Sequence, residues 1–149
     1  MNGERAQMEA ALRAVVVPLL RQLGFRGSLP HFRRVTTDSV DLISFQYDRS
    51  GGGFVVEVAR GGASGYTSSW GKSIPPEKLT APDVHPHFRP RLSPQGIAPG
   101  SDHWFRFDLG THSLSERVNR AAQAVASCLP QAEQWWNSAA PQERFLPLP

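Results

Sequence analysis

One cysteine, two lysines and no long apolar run: each shortage among these 149 residues removes a class of protein. Cys128 alone cannot close an intramolecular disulfide, which fits a reducing compartment. The longest apolar run, Ala14 to Leu20, is too short to span a bilayer and contains Pro18, so no membrane association is expected. The opening Met-Asn-Gly-Glu-Arg-Ala-Gln lacks the basic-then-apolar pattern of a signal peptide, and a cytoplasmic location is the expectation. With lysine confined to Lys72 and Lys78, the net charge of +3 rests on arginine. Arginine suits planar, bidentate contact with carboxylate or phosphate, though it also accumulates in proteins of GC-rich bacterial genomes.

Motifs that carry chemistry are equally scarce. There is no Gly-x-Ser-x-Gly elbow, no His-Glu-x-x-His pair and no Cys/His spacing for zinc. Of the five histidines, His85 and His87 would share a face on a strand, and His103 (beside Asp102) and His112 flank later elements. Histidines among prolines in a loop are usually exposed spacers, so neither a metal site nor a cofactor is expected. Cys128 falls on the apolar stripe of a helix, where a buried thiol is a small core residue and not a nucleophile. Asp41, Asp48 and Glu57 offer a carboxylate pair across a hairpin, but a solvated sheet face carries such charges without any chemistry.

What is present is a sheet pattern. Val40 to Tyr47 and Phe54 to Ala59 are rich in β-branched and aromatic residues, and Asp48-Arg-Ser-Gly-Gly-Gly53 lies between them. The glycines mark a hairpin turn; a phosphate-cradling loop would need a following helix with Lys and Ser/Thr. Alternation puts Ile43, Phe45 and Tyr47 on one side, and Phe54, Val56 and Val58 with them. Gln46 and Glu57 then face outward in one register among several. His31 to Val35 makes a short earlier strand. His103 to Leu109 is the clearest amphipathic strand, with Phe105, Phe107 and Leu109 inward and Trp104, Arg106 and Asp108 outward.

Helices bracket this sheet. From Glu4 to Leu23, apolar residues recur at three- and four-residue spacing, with a kink or break expected at Pro18 and a left-handed stop at Gly24. Ser113-Leu-Ser-Glu116 is a capping box that starts a second helix, which Pro130 is expected to stop or restart. Between sheet and helix, residues 60–100 form a long Pro/Gly-rich loop that forbids long helices and central strands. Trp70 and Leu79 are expected to pin it to the body, and a short extended piece near His87 to Leu92 to lie along a sheet edge. Trp135, Trp136 and Phe145 cover a core edge or meet a partner, and 139–149 is an extended tail. The whole chain, 1–149, reads as one α+β domain: an antiparallel sheet of four to five strands with N- and C-terminal helices packed on one face.

Leu23-Gly-Phe25, Phe32-Arg-Arg34, a strand ending Ser44-Phe-Gln46, the glycine turn and Phe54-Val-Val56 together resemble a bacterial family of unknown function, domain of unknown function 4304. Phe88-Arg-Pro-Arg-Leu92, Trp104-Phe105 and the helix from Leu114 are similar to its central pattern, so the resemblance covers most of residues 8–130. It implies a fold and brings no activity, cofactor or substrate.

The expected function is a non-catalytic cytoplasmic binding or interaction module, with an unidentified protein partner and an unassigned oligomeric state. Its surface is the outer sheet face, where Arg33, Gln46, Glu57, Trp104 and Arg106 meet Arg89 and Arg91 from the loop; Trp and Arg are enriched at binding hot spots. The alternatives are a small enzyme with a polar pocket at that face, or a weak single-stranded nucleic-acid binder. The last lacks lysine clusters and an RNA-binding signature. A solvated face whose arginines pair with Glu57 and Asp108 is the plain alternative to all three.

Overall fold

In the computed structural model, which describes residues 3–98 and 100–145, the N-terminal segment forms two helices, α1 (Gly3–Val15) and α2 (Val17–Gln22). Pro18 has no N–H to donate, so the helix is interrupted at Val16 and resumes at Val17 with the proline in its first turn. The ladder holds on either side, with Val16 donating to the Leu12 carbonyl at 2.8 Å and Leu20 to Val16 at 3.0 Å. Gly24, at φ 96°, closes α2: its N–H bonds to Arg21 and that of Phe25 reaches back to Leu20.

Five strands follow in one antiparallel sheet: β1 (Arg26–Ser28), β2 (His31–Val35), β3 (Ser39–Tyr47), β4 (Gly53–Gly62) and, after a second small hairpin of β5 (Tyr66–Thr67) and β6 (Ser73–Ile74), β7 (Phe105–Arg106). The order across the sheet is β1-β2-β3-β4-β7. β3 and β4 pair with Phe45 opposite Val56 and Ser44 opposite Glu57, which selects one of the registers that the alternation left open. β1 carries no apolar alternation, and all three of its residues are exposed. It exists because Gly27, at φ 115°, brings the chain against Phe32, where any Cβ would crowd the His31 carbonyl.

The two faces of the sheet are covered differently. Phe32, Ile43, Phe45, Phe54, Val56 and Val58 face a main core closed by Met8, Leu12, Val16 and Leu20 and by helix α3 (Leu114–Ser138). On the opposite face, Val40, Leu42 and Ala59 pack under Tyr66, Leu79, Ala81 and Val84 as a second, smaller core. The proline-rich segment is therefore a roof over half of the outer face. Prolines head its three short 3-10 turns, at Pro76–Lys78, Ala81–Asp83 and Pro86–Phe88, where a missing N–H costs nothing. Pro90 to Leu92 then runs along β4, with Val58 donating to Pro90 at 3.0 Å and Leu92 to Val56 at 2.7 Å, so the expected edge piece forms.

Several expectations need correction. Helix α3 runs unbroken through Pro130, because Leu129, Ala132 and Trp136 are buried on one stripe while the proline ring faces solvent. For Trp136 the expectation of core cover holds: it is fully buried and its indole N–H donates to the Leu42 and Ala59 carbonyls at 3.2 and 3.1 Å. Trp70 is 70 % exposed at the tip of the small hairpin and pins nothing, whereas Leu79 is buried as expected. The amphipathic strand ends early: Phe105 and Phe107 are core residues, but Leu109 is 69 % exposed, since the chain turns away at Gly110 (φ 96°). The tail packs back through residue 145, Gln142 exchanging hydrogen bonds with Arg60 and Gly62, and Phe145 donating to Thr67. Leu146 to Pro149 lie outside the described residues.

Candidate functional site

Period-two alternation puts His31, Ser44 and Glu57 on the outer face, and the register aligns them. His31 lies opposite Ser44, Ser44 opposite Glu57, and Glu57 opposite Arg91, so one row of polar side chains crosses the sheet. The roof of the second core stops short of this row. A concave pocket of about 500 Å³ opens there, its polar lining being Arg5, His31, Ser44, Gln46, Glu57 and Arg89. Pro30, Phe45, Tyr47 and Pro82 complete the walls.

Two polar pairs form its floor. Arg89 Nη1 donates to both Glu57 carboxylate oxygens at 2.8 Å, while Arg89 Nε donates to the Val84 carbonyl at 2.8 Å. Glu57 is only 6 % exposed, so its charge depends on that guanidinium for compensation. Beside it, His31 Nδ1 and Ser44 Oγ are 2.7 Å apart, with Ser44 3 % exposed. Burial holds the His31 pKa below its ordinary value, and the Arg33 charge adds to this against a weaker pull from Asp83. A neutral imidazole then spends one nitrogen on Ser44 and keeps the other for a ligand.

The predicted site residues divide into three groups. Gln46, Glu57 and Arg89 line the pocket, with Gln46 exposed at its rim. Arg91, next to Glu57 in register, stacks its guanidinium 5.4 Å from the Trp104 ring centroid and pairs with Asp102. Arg33 and Arg106 are taken up elsewhere: Arg33 Nε ties down the roof through the Leu79 carbonyl at 2.9 Å, and Arg106 pairs with Asp108 at 2.6 Å and Asp48 at 3.7 Å. The pairing with Arg106 lowers the Asp108 pKa. The suggested carboxylate pair does not form, because the three acids have separate arginine partners: Asp41 with Arg34 and Arg60, Asp48 with Arg106, Glu57 with Arg89. His85 and His87 lie on a 3-10 turn with the His87 N–H bonded to His85 Nδ1, and among the described residues no group of three His, Cys, Asp or Glu is placed to hold a metal ion.

Two groupings escaped sequence reasoning. His31 and Ser44 are thirteen residues apart, and only the strand register joins them. On the helix side, buried Asp41 binds Arg34 at 2.8 Å, and Arg34 clamps Glu133 of α3 through both terminal nitrogens at 2.8 and 2.7 Å. Those bonds to Glu133 raise the Arg34 pKa further. Arg60 Nε sits 3.2 Å from Asp41 Oδ1, off the hydrogen-bond line, and donates to Ser39 Oγ at 3.0 Å. This second network ties α3 to the sheet and lies on the face opposite the pocket.

The fold is thus an α+β domain: a five-stranded antiparallel sheet with helices on one face and a polar pocket on the other. The chain belongs to the family described as domain of unknown function (DUF4304), whose model matches residues 16–133. No curated protein and no solved structure matches it. Among the described residues no helix is long and apolar enough to cross a membrane.

Proposed function

We propose that this domain is a non-catalytic binding module, and that its ligand enters the outer sheet face at the pocket over Ser44 and Glu57. The observation that carries this reading is the buried Glu57–Arg89 pair at the floor of an open 500 Å³ cavity, a size suited to a small molecule or to one side chain of a partner. Glu57 spends both oxygens on one guanidinium, which makes it a poor general base and a rigid part of a recognition surface. Trp104 with Arg91 stacked on it extends the surface beside the row, as an aromatic and cationic contact for a protein partner.

A thermal-shift screen of small polar compounds and short peptides tests this, using the full chain beside a Gln46→Trp variant whose indole fills the rim. Compounds that raise the melting temperature of the parent and not of the variant support the pocket. Hits that stabilise both chains equally, or no hits, overturn it. One observation favours a second reading, a small hydrolytic enzyme: the 2.7 Å contact between Ser44 Oγ and a histidine held neutral. Covalent labelling of Ser44 by a fluorophosphonate probe would establish that reading in place of the first.

A further inference from the structure

We propose that the sheet-face pocket is selective for organic anions, recognising a carboxylate or phosphate group carried on a small apolar body. The inference rests on the pocket being the binding site and adds the class of ligand. Two guanidinium groups and one carboxylate stand in the pocket wall: Arg5, Arg89 and Glu57. The carboxylate is already answered, since both its oxygens accept from Arg89 Nη1. Those two bonds, with the third from Nε to Val84, fix the plane of the Arg89 guanidinium, so presenting it to a ligand costs little side-chain entropy. Among the described residues its Nη2 has no hydrogen-bond partner, and that edge is the donor a ligand would meet.

The opposite wall repeats the sign. β3 continues past the start of β2, which pairs no further than His31 with Ser44, and Arg5 of α1 lies at this open margin with its guanidinium carbon 4.3 Å from the Tyr47 ring centroid. Gln46 adds a neutral donor between the two arginines, and the second ring nitrogen of His31 donates or accepts according to its tautomer. A cation entering here would face two guanidinium groups in the lining, where the one lining carboxylate, Glu57, is held by Arg89, while Asp83 and Glu9 act on His31 and Tyr47 from outside it. An anion would meet charge-assisted donors from two sides. Pro30, Phe45, Tyr47 and Pro82 offer apolar contact for a ring or short chain behind the charged group.

The test is a titration of the isotope-labelled full chain, followed by amide NMR shifts, with benzoate, phenyl phosphate and benzamidine at matched ionic strength. The anions are expected to produce saturable shifts at His31, Ser44, Gln46 and Glu57 with dissociation constants on the order of 1 mM, as befits fragments of this size. The tighter of the two identifies the head group as carboxylate or phosphate. Arg5→Gln should weaken that binding about fivefold, while Glu57→Gln, which leaves Arg89 a neutral amide oxygen in place of a competing carboxylate, should tighten it about threefold. A spectrum with unchanged dispersion shows that each variant is folded. Benzamidine binding at these amides more tightly than the anions overturns anion selectivity and leaves the pocket reading standing. Shifts that fail to saturate, or that equal those from sodium chloride alone, overturn the selectivity as well. If in addition no library compound distinguishes the Gln46→Trp variant, the pocket reading falls with it.

Discussion

Removing Arg89 exposes how much the pocket floor depends on one cation. Glu57 is 6 % exposed, and its side chain has two hydrogen bonds, both from Arg89 Nη1. In Arg89→Ala the carboxylate remains in the sheet face with its charge uncompensated, and the Nε bond to Val84 that holds the roof is lost too. Breaking one side of a buried pair costs about 3–5 kcal/mol. The open cavity admits some water to Glu57, so the lower end, about 3 kcal/mol, is the working figure. For a chain of this length that is a fall in melting temperature of about 6–12 °C. Glu57→Gln should cost less, about 1–2 kcal/mol, because an amide oxygen still accepts from Arg89 and no buried charge is orphaned. Replacing both residues with methionine should recover most of the Arg89→Ala loss, since apolar groups of similar volume need no partner. Urea unfolding followed by far-UV circular dichroism measures all of these. If Arg89→Ala costs less than Glu57→Gln, or the double methionine variant is no more stable than Arg89→Ala, the pair is not a coupled, buried unit.

Two further outcomes follow from other parts of the fold. Trp136→Phe keeps most of the ring packing but removes the donor shared by Leu42 and Ala59, and urea unfolding should register a loss of about 1–3 kcal/mol; a loss below about 0.5 kcal/mol would show that those carbonyls do not need it. His31 and His103 both have pKa values lowered by burial, so the unfolded chain takes up protons that the folded chain refuses. Stability should therefore be lost as pH falls through the ordinary histidine value of 6.5 toward the lower folded values, and be regained above it; a melting temperature that is flat or rises on acidification through this window contradicts the burial of both rings.

Elements governed by neighbours in the chain were legible beforehand. Gly24 ends a helix because a left-handed residue followed by Phe25 can close the last turn, and Ser113 starts one because its hydroxyl accepts the Glu116 N–H. The β3–β4 hairpin, its inward Phe45 and Val56 and its outward Gln46 and Glu57 follow from alternation on either side of a glycine turn. The turn has a further role that alternation did not reveal. The Gly52 carbonyl accepts from the Phe107 N–H, and the residue sits where a Cβ would strike Asp108, so the glycine is required by a segment more than fifty residues later.

By itself, then, the amino-acid order determined the α+β class, the helix stop at Gly24, the helix start at Ser113 and the central hairpin with its alternation, because these depend on hydrogen bonds and apolar periods within a few residues. Only the tertiary structure decided that residues 63–88 roof half of the outer face, that helix α3 passes through Pro130, and that His31, Ser44, Glu57 and Arg89 surround one pocket. Each of those outcomes rests on partners separated by between thirteen and ninety-four residues, as His31 is from Ser44 and Leu42 from Trp136. Local propensity is blind to such pairings. Strand register and the packing of a distant segment settle them, which is why the Arg/Trp face expected from composition became a pocket around a buried ion pair.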